Sequence, residues 1–199
     1  MKKYLEDNTF LTFFSLGIVL FLQHAWVMGF FQDGYLYAAF GKNAAEKGFW
    51  IVPRLSEQVY ARFYDHTSFT FILEGLFFKI FGSSFTSARF FAASFSLITA
   101  FSIFRFLKNE NRAKLAYLSL LFFFLIPPLM KKGRFPNIDL PLMLFFFMAM
   151  IGYWKAYNDS TWKNWLTCGL GFGLCALTKG PMSVWVPMII IFHIAFAKS

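Results

Sequence analysis

Five side chains have the type and setting for group transfer at a water boundary: Asp33, His66, Arg134, Asp139 and Lys179. Asp33 stands in Phe31-Gln32-Asp33-Gly34-Tyr35, just past an apolar run. There a carboxylate stays ionised and can take the proton of an attacking hydroxyl or amine. Asp139 closes the loop Lys131-Lys132-Gly133-Arg134-Phe135-Pro136-Asn137-Ile138-Asp139, whose cations suit a bound anion, with phosphate the obvious choice. A guanidinium at Arg134 can grip two phosphoryl oxygens, and an ammonium at Lys179 adds a point charge beside Gly180-Pro181. The plainer reading of both cations is that they reach out of the hydrocarbon to lipid headgroups. Asp33 and Asp139 form the candidate catalytic pair. Asp33 in a flexible loop would meet substrate, whereas Asp139 would cap the helix it opens and orient the site.

These residues need elements to hold them, and composition sets the solvent in which those elements fold. The sequence is 58% hydrophobic and 15% charged, with 31 Phe, far more apolar bulk than a water-soluble domain can bury. The expected class is an all-α polytopic membrane protein. A net charge of +9 raises the question of nucleic acid, but the cations gather at the ends of apolar runs and not along one stripe, which argues against it. The first apolar run, 10–31, is too long for a signal peptide and lacks a small-residue cleavage site, so it reads as a retained anchor.

Residues 32–84 mix charge with Tyr35, Tyr37, Phe40, Phe49, Trp50 and Tyr60, aromatic types that settle at headgroup depth. The expectation is an outer segment with short helices lying on the membrane surface. Its apolar patch 68–81 carries Glu74 and Lys79 and is too short to cross. Five further runs follow within 85–197: Phe85 to Leu107, Ala113 to Met130, Leu140 to Tyr157, Trp162 to Thr178 and Pro181 to Ala197. Six crossings place Lys2, Lys3, Arg105, Lys108, Arg112, Lys114, Lys155, Lys163 and Lys198 on the cytoplasmic side; a seventh would move all but the first two outside. Six is therefore expected, and it opens every candidate site residue on the non-cytoplasmic face.

Other residues read as structural. Cys168 and Cys175 share one apolar helix without metal-ligand spacing, and His24 and His193 are expected to pack against neighbouring helices. Gly169 and Gly173 form a GxxxG contact face, and Asn158-Asp159-Ser160 falls on the cytoplasmic side, so its glycosylation pattern is disregarded.

Asp33-Gly34-Tyr35, Phe81-Gly82 with Ala88-Arg89-Phe90, Arg134 with Asp139, and Leu177-Thr178-Lys179-Gly180-Pro181 together resemble, in that order, the amino-terminal module of the GT-C glycosyltransferases. The nearest likeness is to the dolichyl-phosphate-mannose protein mannosyltransferases and the aminoarabinose transferases of lipid A. The resemblance implies sugar transfer from a polyprenyl-phosphate donor to a lipid or protein acceptor, with Asp33 as the catalytic carboxylate. It places His66 and Arg89 with Arg134 and Lys179 around the donor phosphate. It also implies an integral protein of the bacterial inner membrane, its site loops facing the periplasm. A divalent cation is left open. The family usually has Pro-Pro-Leu after a Lys or His, whereas this chain reads His66-Thr67-Ser68-Phe69. Members are commonly more than twice as long, so a truncated, inactive form is one expectation. The competing class is a transporter or a lipid-binding scaffold.

Overall fold

The computed structural model describes residues 2–23, 25–29, 32–48 and 50–197, most of which are helical, with no strand among them. The helices are α1 (Lys2–Leu22), α2 (Gln32–Lys47), α3 (Phe69–Phe81), α4 (Phe85–Asn109), α5 (Ala113–Leu125), α6 (Pro127–Lys132), α7 (Asp139–Asn158), α8 (Trp162–Lys179) and α9 (Trp185–Ala197), with a 3-10 turn at Gly180–Val184 before the last. Three stretches are long and apolar enough to cross a membrane: Phe85–Asn109, Asp139–Asn158 and Trp162–Ala197. Asn8–Leu22 and Ala113–Leu125 are shorter apolar helices.

Side-chain contacts fix the direction of each leg. Phe10 stacks on Phe104 near the end of α4, while Phe21 meets Phe124 near the end of α5, so α1 runs against α4 and alongside α5. The stretch Trp162–Ala197 folds back on itself at the 3-10 turn. Trp185 lies with Asp139 at the start of α7, and His193 accepts or donates a 2.6 Å hydrogen bond with Tyr153 near its end. Hence α1, α5 and α8 run one way and α4, α7 and α9 the other. One end of the bundle collects the start of α7 and the ends of α1, α6 and α8, and α2 and α3 lie against it.

Several expected boundaries move. The first apolar run does not form one helix to residue 31; α1 ends at Leu22 and Val27 to Gly29 are non-helical, with Gly29 at φ +92°. Side chains take the carbonyls around the stop: Gln23 and Arg134 donate to Leu20, and Arg89 donates to Val27 and Gly29. His24 lies outside the described residues. The run Ala113 to Met130 breaks at Ile126, because Pro127 cannot supply the N–H that would continue α5 but suits the first turn of α6. The GxxxG expectation is also corrected. Gly169 and Gly173 face open space, whereas Gly171 and Gly152 are the points of closest approach between α8 and α7. A Cβ on Gly171 would lie 2.4 Å from the Ala149 nitrogen, and one on Gly152 would lie 2.3 Å from that of Cys168. Cys168, Gly171, Cys175 and Thr178 form the buried stripe of α8, so the cysteines pack as expected.

α3 packs across α2 through small residues: Gly75 abuts Ala44 and the Gly41 carbonyl, and Glu74 lies against Gly41. Glu74 is 1% exposed, and its Oε1 has no hydrogen-bond partner among the described residues. Burial alone pushes its carboxyl up from 4.5 to about 8. The folded-state pKa is raised, so Glu74 leaves stability intact below about pH 4.5 and removes it as pH climbs to about 8. The loss is up to ~1.4 kcal/mol per pH unit in that window. Glu74→Gln should therefore melt at a higher temperature than the unsubstituted chain at pH 8 and near the same temperature at pH 5. Parallel melting curves at both pH values would rule this out.

Candidate active site

The site is built outward from Asp139, in the first turn of α7. Asn137 sets that turn: its Oδ1 accepts from the Asp139 and Leu140 N–H groups at 3.1 and 3.0 Å, and its Nδ2 donates to the Lys132 and Phe135 carbonyls at 2.8 Å each. The capping expected of Asp139 therefore falls to Asn137, two residues earlier, whose side-chain oxygen takes the free N–H groups. Asp139 is left to accept from two ammonium groups. Lys132, at the end of α6, donates to Oδ2, and Lys179, at the end of α8, donates to Oδ1 at 3.0 Å. Two cations are thus held side by side on one carboxylate. Each is part-exposed, so each keeps capacity for a further anionic partner.

Asp33 approaches from α2. It lies in that helix's first turn and not in a flexible loop, a correction with a physical reason: a carboxylate there interacts favourably with the positive end of the helix dipole. Among the described residues it makes no ion pair. A cleft of about 640 Å³ joins Asp33, Tyr37, Lys131, Lys132, Asp139 and Lys179, with Pro127, Pro128, Phe135 and Ile138 as its apolar walls. Tyr37 follows Asp33 by one turn. Its phenol is pushed up to about 12, first by burial and then by the carboxylates of Asp33, Asp139 and Asp65. It therefore stays protonated and can donate to His66 Nε2, 3.3 Å away. Burial and the Lys179 ammonium hold His66 below its usual range against the opposing pull of Asp65, Asp139 and Asp33. A neutral imidazole accepting from Tyr37 follows.

The remaining expected residues turn elsewhere. Arg134 does not line the cleft. Its Nε and Nη2 donate to the Leu20 carbonyl at 3.1 and 3.0 Å, closing the end of α1. Arg89, 8% exposed, sends Nη1 to the Arg134 carbonyl at 2.5 Å and Nη2 to Val27 at 3.3 Å and to Gly29. Both guanidiniums serve backbone carbonyls at the end of α1 and in the non-helical stretches beside it. Lys132 fills the position in the cleft expected of Arg134. The Pro127-Pro128 pair was the signal for it, because a helix restarting at Pro127 carries Lys131 and Lys132 in its last turn.

His66 is tied to this array by its neighbour. The Thr67 hydroxyl donates to the Leu177 carbonyl and lies 3.3 Å from that of Thr178, at the end of α8 next to Lys179. No three His, Cys, Asp or Glu side chains come together in a metal-binding group among the described residues.

The sequence of residues 65–199 matches the model of the dolichyl-phosphate-mannose-protein mannosyltransferase family. That span is well over half of the chain, and the chain belongs to this family of GT-C membrane glycosyltransferases. It is also 26% identical to an undecaprenyl phosphate-alpha-4-amino-4-deoxy-L-arabinose arabinosyl transferase of Wigglesworthia glossinidia brevipalpis, over 80% of this chain and 29% of the relative. A second transferase of that description, from Proteus mirabilis, is 25% identical over 81% of this chain and 30% of its own length. The chain thus spans under a third of the relatives it matches. No solved structure matches it. Asp33 lies before the matched family segment, whereas His66, Arg89, Arg134, Asp139 and Lys179 lie within it.

The Thr67 tether gives a local test. Thr67→Val should cost about 0.5–1.5 kcal/mol and speed amide exchange at residues 66–69, while Thr67→Ser keeps both near their starting values. Equal exchange in the two variants would show that the hydroxyl does not hold the segment.

Proposed function

We propose that the chain carries the donor site of a glycosyltransferase that takes a sugar from a polyprenyl-phosphate carrier, with the cleft on the periplasmic face of a bacterial inner membrane. The observation that carries this reading is the contrast between two carboxylates on one cleft. Asp139 is held by Lys132 and Lys179, and Asp33 is unpaired among the described residues. A carboxylate shared by two ammoniums is a poor base but a good template, because it fixes two positive charges where a phosphate can meet both. The free carboxylate is the better proton acceptor. Family membership and the names of the relatives support a lipid-phosphate donor. The outer position is supported by the cations at the opposite ends of the apolar runs.

In this reading the acceptor hydroxyl oxygen attacks the anomeric carbon and loses its proton to Asp33. The bond from that carbon to the phosphate oxygen breaks, and its electron pair leaves with the lipid phosphate. The departing phosphate gains negative charge, so Lys132 and Lys179 bind it more strongly in the transition state than in the bound donor. Asp139 acts as a positioning residue for both. Tyr37 borders the same space and His66 stands behind it, bonded to its hydroxyl, without adding charge.

The test is transfer of radiolabelled sugar from a polyprenyl-phosphate donor by the protein reconstituted in liposomes. Asp33→Asn should abolish transfer and leave donor binding in place. Lys132→Ala or Lys179→Ala should slow turnover roughly 10- to 1000-fold, the loss of about 2–4 kcal/mol expected for a charge contact at a developing anion. Arg134→Ala should instead lower the melting temperature, by about 1–3 kcal/mol of stability, with turnover per folded molecule retained. Wild-type transfer by Asp33→Asn would remove the catalytic assignment.

A further inference from the structure

A second cationic cleft lies away from Asp139, on the segment between α2 and α3. Residues 53–63 form a hairpin: Phe63 N–H donates to Pro53 O at 2.9 Å, Leu55 N–H to Tyr60 O at 3.0 Å and Ser56 N–H to Val59 O at 3.0 Å. Asn43 of α2 anchors it, donating to the Arg54 and Leu55 carbonyls at 3.0 and 2.7 Å, and Phe63 packs against Phe40 with ring centres 4.7 Å apart. The hairpin is therefore a fixed support and not a loose loop. Between it and the end of α2 is a cleft of about 390 Å³ whose walls include Lys47, Arg54, Arg62, Trp50 and Glu57.

Two independent observations bear on what this cleft takes. The first is charge. Lys47, Arg54 and Arg62 make no ion pair within 4 Å among the described residues, although Glu57 shares the cleft with them. Three cations and one carboxylate leave two positive charges, matching the charge of about −1.5 to −2 that a phosphomonoester carries near pH 7. The Arg54 guanidinium lies 5.5 Å from the centre of the Trp50 ring. Stacked so, it keeps an N–H edge for two phosphoryl oxygens. The second observation is apolar exposure on the same segment, at residues next to or near those that line the cleft. Ile51 is 93% exposed and Tyr64 70%, with Val59 and Tyr60 at the hairpin tip about half exposed. Cations flanked by exposed aliphatic and aromatic side chains are what a lipid–water boundary selects, the apolar groups entering the acyl boundary and the cations meeting phosphates.

We infer that this cleft binds the phosphomonoester headgroup of a membrane lipid, with Lys47, Arg54 and Arg62 on the phosphate and Ile51 and Tyr64 in the surrounding lipid. The site is separate from the donor cleft and does not rest on the transfer reading. Its occupancy would hold the hairpin, and through Asn43 the whole of α2 with Asp33, at a set depth.

The test uses the protein carrying Lys132→Ala and Lys179→Ala, which removes the paired cations of the donor cleft. In detergent it is titrated calorimetrically with dioctanoyl phosphatidic acid, dioctanoyl phosphatidylcholine and inorganic phosphate. Phosphatidic acid should bind at least tenfold more tightly than the other two. Arg54→Ala with Arg62→Ala should weaken it tenfold or more, and Arg62→Ala alone should weaken it by a smaller factor. Ile51→Ser with Tyr64→Ser should reduce binding of the lipid and not of phosphate. Lys42→Ala, a residue paired with Glu46 at 3.7 Å and outside the cleft, should change nothing. Unchanged affinity in both arginine variants would overturn the site, and inorganic phosphate binding as tightly as phosphatidic acid would overturn its assignment to a lipid. Neither result bears on Asp33, whose role is read from transfer alone.

Discussion

One carboxylate accepting from two ammoniums organises the end of the bundle where the cleft opens. Asp139 takes Lys132 on one carboxylate oxygen and Lys179 on the other, so the ends of α6 and α8 and the start of α7 meet at a single side chain. Removing the carboxylate would leave two part-buried ammoniums repelling each other, and removing either ammonium would leave the other as a simple pair. Asn137 matters for the same reason. By capping α7 it frees the Asp139 carboxylate from backbone duty and turns it toward the cations.

A second set of contacts keeps the non-helical backbone beneath this array in order. Val27 to Gly29 lies between α1 and α2, where carbonyls lack helical partners, and in a membrane protein such groups need satisfaction from within. Arg89 reaches them from α4 and also takes the carbonyl of Arg134, which in turn closes α1. The two guanidiniums form a relay of side chain to backbone. Arginine suits this work because a planar fork can serve two carbonyls at once.

Much of the helix order was legible in the sequence because hydrophobic run length reports helices directly. α4, α7 and α8 begin and end within a residue or two of the runs that announced them. Apart from the local break at Pro127, the failures came where a contact with another part of the chain overrode a local pattern. At the end of α1 the Leu20 carbonyl accepts from the side chain of Gln23 close by and from Arg134, more than a hundred residues later, a contact no local pattern announces. Likewise the spacing of Gly169 and Gly173 suggested a contact face, but α7 chose the stripe through Gly171, since helix facing is settled by the partner and not by one motif. For the site, residue types were informative and roles less so. Asp33, Asp139 and Lys179 do share a cleft, while Arg134, read as an anion ligand by its charge and loop, is claimed by a carbonyl.

The close approach of α7 and α8 has a mechanical consequence. At Gly152 and Gly171 each backbone touches the other helix with no side chain between them, so the two helices behave as one stiff strut. Asp139 and Lys179 both project from the same end of that strut, so their backbones keep a set separation. Lys132 is mounted differently, on a six-residue helix joined to α5 through Ile126 and Pro127. The two lysines therefore hang from different supports, one on a close-packed helix pair and one on a short separate helix, and the Asp139 carboxylate is the tie that holds both ammoniums together.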